Sequence, residues 1–198
     1  MYMIALHLGK LKETITEEFY NKIRTALLRS PADIEKVFKD EERIKKFAYD
    51  NFKVEDAFFL GRGLDHYVAM EGSLKMKEIS YIHSEAYPAG ELKHGTIALV
   101  EEGTIIIALC TQQDVYEKMI SNIQEVKARG AYILAIAQEG NKAIEKEADE
   151  VFYVQKTEDD LAAVSTVVYL QILAYYLAVA RGCDVDKPRN LAKSVTVE

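Results

Sequence analysis

Cysteine is scarce: Cys110 and Cys183 are the only two in 198 residues, and nothing near them resembles a C-x-x-C metal pattern. Two thiols make a poor disulfide framework, so a reducing compartment, the cytoplasm, is the simpler expectation. Positive charge is also in short supply, since 25 Lys and Arg against 32 Asp and Glu leave a formal net charge of −7. Domains that grip a phosphate backbone usually gather a basic excess on one face, so nucleic acid is not an expected partner. There is no Walker loop, zinc spacing or nucleophile elbow. Gly61-Arg62-Gly63 is a G-x-G without the third glycine that a dinucleotide fingerprint needs. No metal and no cofactor is called for. Internal repeats and low-complexity stretches are missing too, and the N-terminus shows no basic stretch leading into a short apolar run, so no signal peptide is expected.

What remains is an ordinary globular balance, 49% hydrophobic and 29% charged residues. The length fits one domain, or one domain with a helical appendage, and a chain of this size can bury a core without disulfides or metal. The first fifty residues read as helices only. Thr14-x-x-Glu17 has capping-box spacing, and Ser30-Pro31 reads as an N-cap followed by proline at the first helical position.

From about residue 55 the pattern changes. An apolar run at 57–60 ends in Gly61-Arg62-Gly63 and reads as a buried strand with a tight turn. A helix over 65–80, a strand over 104–110 and a helix with Val115, Met119, Ile123 and Val126 on one face follow, the last stopping at Gly130. Strands at 132–137 and 151–154 precede residues 161–180, twenty without a charge. That is the length of a membrane span. Ser165, Thr166, Gln171 and three interior tyrosines favour instead a buried core helix, so no membrane is expected.

Strands alternating with helices predict an α/β fold, three layers with a mainly parallel sheet flanked by helices, plus the N-terminal helical segment. Ligands in such sheets sit beyond the carboxyl ends of the strands, which directs attention to residues 61–66, 88–95 and 111–114.

Three features carry possible chemistry. Glu71, Lys75 and Glu78 stand at i, i+4 and i+7, on one helix face. They make either an exposed salt-bridge ladder or a carboxylate base with a cation beside it. The turn at 90–95 combines two glycines with Glu91, Lys93 and His94, and a loop histidine can move protons near neutral pH. The tail from 186 alternates polar groups with Leu191, Val195 and Val197, a pattern that suits docking, and an amine there could form a Schiff base if its surroundings lower its pKa.

Taken together, L-G-R-G at 60–63, E-G-S-L-K-M-K-E-I-S-Y-I-H-S-E-A-Y at 71–87, G-E-L-K-H-G at 90–95 and D-V-D-K-P-R-N-L-A-K-S-V-T-V-E at 184–198 resemble the glucosamine-6-phosphate synthase family. The likeness is to the second of its two sugar-isomerase (SIS) subdomains, over residues 51–198, with 1–50 as the helical connection from the first. The family makes glucosamine 6-phosphate from fructose 6-phosphate and ammonia, which a separate glutaminase domain releases from glutamine. The resemblance implies that Lys193 forms a Schiff base with the open-chain ketose. It places Glu78 as the proton shuttle between C1 and C2, and His94 as the ring-opening group that reaches a neighbouring subunit's site. Glu71, Lys75 and Arg62 become supporting, substrate-binding groups, and a homodimer is implied.

Two departures stand beside that likeness. The family's Ser/Thr-rich phosphate loop belongs to the first SIS subdomain, and here the strand ending at Cys110 leads into Thr-Gln-Gln-Asp. The glutaminase domain with its N-terminal cysteine is also absent, so a fragment or one part of a split enzyme is expected. The rival readings are a non-catalytic sugar-phosphate-binding SIS module and another SIS-family isomerase.

Overall fold

A computed structural model of the chain describes residues 1–189. Three helices come first: α1 (Tyr2–Leu11), α2 (Glu17–Val37) and α3 (Glu41–Asn51). Two details of this region differ from the sequence reading. The cap of α2 is Thr16, not Thr14: Thr16 has extended backbone and its hydroxyl accepts from Phe19 N at 3.1 Å, which places Glu17 inside the first turn. Pro31 lies within α2, where it cannot donate to the carbonyl of Leu27. Ser30 Oγ donates to that same oxygen at 2.8 Å, so the bond that proline removes is replaced by a side chain and the helix continues.

A five-stranded sheet follows, all parallel, in the order β2-β1-β3-β4-β5. Its members are β1 (Asp56–Gly61), β2 (His83–Pro88), β3 (Ile105–Cys110), β4 (Tyr132–Gln138) and β5 (Glu150–Val154). Helix α4 (Leu64–Ser80) links β1 to β2, α5 (Tyr116–Lys127) links β3 to β4, and α6 (Asp159–Ala180) closes the fold. Strand β2 escaped the sequence reading for a physical reason. It is an edge strand with the sequence His-Ser-Glu-Ala-Tyr-Pro, so neither an apolar run nor strict alternation marks it.

Each inner strand serves both faces. Phe59, Ile107, Leu134 and Phe152 pack with α3, α4 and α6, whereas Phe58, Ile106 and Ile133 pack with α5. Burial on both faces is why these strands read as continuous apolar runs. Gly72 sits where α4 meets α6; a Cβ there would lie 2.6 Å from Leu170 and 3.0 Å from Phe59, so the close helix approach depends on glycine.

Helix α6 is long and apolar enough to cross a membrane by length and composition. In this fold Leu161, Tyr169, Leu170, Leu173 and Leu177 are buried, and Tyr169 and Tyr176 reach back to Asp40 and Glu41. It is not buried all round: Gln171, Tyr175 and Val179, four residues apart, form an exposed stripe.

Candidate active site

Because β1 and β2 are parallel, α4 must run back antiparallel to both, from the carboxyl end of β1 to the start of β2. Glu71, Lys75 and Glu78 therefore run from the middle of the helix towards the end that leads away from the carboxyl ends of the strands. Lys75 Nζ lies 2.5 Å from Glu78 Oε2 and 3.7 Å from Glu71 Oε1. The Lys75 and Glu78 side chains are 31% and 23% exposed, so the trio is not a freely solvated ladder. The bond to Glu78 holds the Lys75 pKa above its usual value, and the ammonium stays charged at neutral pH.

Beside them a groove of about 640 Å³ opens between α4 and the edge strand β2. Glu71 lines it, together with Tyr67, Met70 and Leu74 on α4 and Glu85 and Tyr87 on β2. Tyr67, Met70 and Leu74 are 68%, 50% and 42% exposed, an apolar strip next to the carboxylates. Tyr87 Oη donates to Glu85 Oε2 at 2.5 Å, and this bond pushes the phenol pKa up. The sequence reading found the charged trio but missed this groove. Its available signal was the i, i+3, i+7 spacing of Tyr67, Met70 and Leu74.

His94 lies elsewhere. The segment from Ala89 to Val100 crosses the sheet face opposite α4, anchored by Leu92, which is buried with Phe58 and Leu60, while Glu91, Lys93 and His94 are exposed. One chain thus puts Glu78 and His94 on opposite faces of its sheet. Arg62 also turns away from the trio: its Nε donates to Asn122 Oδ1 on α5 at 3.0 Å, and its guanidinium lies against Gly90. Lys193 lies outside the described residues.

At the carboxyl ends of β1 and β3, where the sheet order reverses and ligands were expected, a groove of about 620 Å³ opens beside Gly63, Gln112, Asp114, Lys156 and Asp159, and several polar groups there are spent on one another. Asp65, buried in the first turn of α4, accepts from Thr111 N at 2.7 Å and from Thr111 Oγ1 at 2.5 Å. Burial raises its pKa, and the two Thr111 donors pull the other way. Asp159, in the first turn of α6, accepts from Gln113 N at 2.6 Å and Gln138 Nε2 at 3.0 Å, and Gln138 Nε2 also reaches Thr111 O at 2.7 Å. Side-chain carboxylates thus engage Thr111 N, Thr111 Oγ1 and Gln113 N, while Gln112 Nε2 donates to the backbone carbonyl of Asp159 at 3.0 Å.

The SIS domain family matches residues 52–181. The glutamine–fructose-6-phosphate aminotransferase (isomerizing) of Caldanaerobacter subterraneus subsp. tengcongensis is 59% identical over 198 residues, which are all of this chain and 33% of that relative. Among solved structures, the C-terminal domain of glucosamine-fructose-6-phosphate aminotransferase from Francisella tularensis has a TM-score of 0.86 at 35% identity, covering 93% of this chain and 52% of its own. Glucosamine-6-phosphate deaminase from Thermotoga maritima has a TM-score of 0.68 at 29% identity, covering 98% and 56%. The chain spans about a third of the length of the curated relatives it matches, corresponding to their C-terminal part. With its helix-flanked parallel sheet and a family match over most of its length, the chain belongs to the SIS domain family.

Proposed function

We propose that this chain is the C-terminal portion of the isomerase half of an isomerising glutamine–fructose-6-phosphate aminotransferase, and that it acts on fructose 6-phosphate in the groove beside α4. The observation that carries the reading is the half-buried Lys75 held between Glu71 and Glu78, with Glu71 also lining the groove. Conversion of an imine at C2 to an amino sugar requires one proton to leave C1 and one to arrive at C2. Glu78 is the base for that transfer, and each positioned transfer is worth about 10²–10⁴-fold. Lys75 keeps a positive charge beside Glu78 and, being protonated, is a poor imine-forming amine. That role falls to Lys193, whose free amine would condense with the open-chain ketose and release water, before ammonia displaces the lysine.

His94 serves ring opening in a second subunit's site. Its place on the sheet face opposite Glu78 supports this assignment and the homodimer it requires. The sugar's phosphate is held by the first SIS subdomain of the full-length enzyme, and ammonia comes from its glutaminase domain. The engagement of the Thr111 and Gln113 amides by Asp65 and Asp159 supports that division of labour, since these backbone donors are not free for a phosphate. The division at residue 50 and a cytoplasmic location belong to the same proposal. The free thiols of Cys110 and Cys183 suit a reducing compartment.

The test supplies the remaining parts of such an enzyme. The chain is co-produced with the N-terminal two-thirds of a relative and given glutamine and fructose 6-phosphate. Glucosamine 6-phosphate should form, and borohydride should trap sugar on the wild type but not on Lys193→Arg. Near-normal turnover by Lys193→Arg would overturn the imine route. A second reading, deamination of glucosamine 6-phosphate, is favoured by the likeness to the Thermotoga deaminase. Ammonia release from glucosamine 6-phosphate without synthesis in the opposite direction would establish it instead.

A further inference from the structure

The segment that presents His94 is short of internal support. Leu92 is its one deeply buried side chain between Glu91 and Gly95, and Glu91, Lys93, His94 and Gly95 are exposed. Its backbone is tied to the sheet by Ala89 N donating to Gly61 O at 2.9 Å, and its turns are closed by Glu91 N to Pro88 O at 2.8 Å and His94 N to Glu91 O at 3.0 Å. Arg62 stands next to the first of these ties. Among the described residues no carboxylate lies within ion-pairing distance of its guanidinium, which is instead anchored through Nε to Asn122. Asn122 is itself buried on α5 and donates from Nδ2 to Glu125 Oε2 at 3.3 Å. A long cation held to a neutral amide, with no counter-charge among the described residues, is poorly explained by ion pairing within them.

Gly90 explains the placement. A Cβ on Gly90 would fall 2.5 Å from one terminal nitrogen of Arg62 and 3.2 Å from its Cζ, so the end of the guanidinium occupies the space a side chain on Gly90 would need. Gly90 is not among the residues with positive φ, so its backbone would accept a side chain and only Arg62 stands in the way. We propose that Arg62 is a positioning residue: pinned to α5 by Asn122, it clamps the turn at Gly90 and so fixes where His94 points. Arg62 acts through the loop and not by touching the sugar. The inference rests on the proposed role of His94, but the clamp itself can be tested apart from that role.

The experiment is a double-mutant cycle between Arg62→Ala and Gly90→Ala, read by amide hydrogen exchange of residues 88–95 in the chain as it stands. Each single variant should speed exchange there on the order of tenfold, because a clamped turn opens less often. The double variant should exchange no faster than either single one, since each change removes the same contact. Asn122→Asp, which keeps an acceptor for Nε and adds a charge, should restore slow exchange where Asn122→Ala does not. In the complemented enzyme, Arg62→Ala and Gly90→Ala should both lower kcat on the order of 10- to 100-fold with KM unchanged, as misplacing a catalytic group does. The clamp is overturned if the two variants leave exchange at 88–95 unaltered or if their effects add. A raised KM with an unmoved loop overturns it as well, for Arg62 would then bind substrate itself. If the exchange cycle holds while the wild-type complemented enzyme is inactive, the clamp stands and the functional reading fails.

Discussion

Helix α4 carries acidic groups at both ends, in two different settings. In its first turn, Asp65 is buried and spends both oxygens on the backbone amide and hydroxyl of Thr111. From its middle towards its last turn, Glu71 and Glu78 share one lysine and remain partly exposed, and Glu71 lines an open groove. The first arrangement is closed: both carboxylate oxygens of Asp65 are already engaged by Thr111. The second is open, with lone pairs facing solvent and a wall of exposed apolar side chains beside it. Buried charge with fixed partners fastens a fold, whereas half-buried charge at an unfilled groove is available for chemistry.

The sharpest way to break this comparison is to neutralise one group from each end. Glu78→Gln preserves shape, so in the complemented enzyme product formation should fall by about 10²–10⁴-fold. Its unfolding free energy in urea should move by less than about 0.5 kcal/mol, as for most surface changes. Asp65→Ala should do the reverse. It strands the Thr111 amide and hydroxyl in the interior and should destabilise the chain by about 3 kcal/mol, while activity per folded molecule changes little. A stable Asp65→Ala or an unaffected Glu78→Gln would erase the distinction.

A smaller effect is expected between those extremes, at the junction of α3 and α6. Tyr169 Oη donates to Asp40 Oδ2 at 2.6 Å and to Tyr153 O at 3.1 Å, and burial followed by the Asp40 bond pushes its pKa far above the ordinary phenol value. Tyr169→Phe should cost about 1 kcal/mol in urea unfolding, because Asp40 keeps its bond to Arg43.

The mildest prediction concerns pH. The bond from Tyr176 to Glu41, and then burial, pushes the Tyr176 phenol from 10.0 up to about 12. The folded chain therefore holds this proton more tightly than the unfolded one. The stabilisation is whole below pH 10 and is lost as pH rises towards 12. A urea titration repeated across that range should show the decline, with a shallower slope in Tyr176→Phe. An identical slope in the variant would remove Tyr176 as a contributor.

Periodicity and composition were enough to reveal the helical first fifty residues, four of the five strands and the three later helices, because long apolar runs and 3.6-residue spacing are local properties. They were enough, too, to single out Glu71, Lys75 and Glu78 as one helix face. The turn at 90–95 drew attention to His94, and motif likeness added Arg62, Lys193 and the kind of reaction these residues suit. What the chain could not announce on its own is where long-range packing sends side chains of ambiguous character. Strand β2 is polar because it is an edge, and only pairing with β1 makes it a strand. Pro31 sits within a helix because Ser30 replaces the bond it removes. The amides of Thr111 and Gln113 are engaged because Asp65 and Asp159, each 46 residues along the chain from its partner, reach them. Arg62 and Gly90 meet across a gap of 27 intervening residues, and no local pattern predicts that contact. Secondary structure follows from neighbours in sequence, but burial, satisfaction of polar groups and the direction of a guanidinium depend on which segments the tertiary fold brings within a few ångströms.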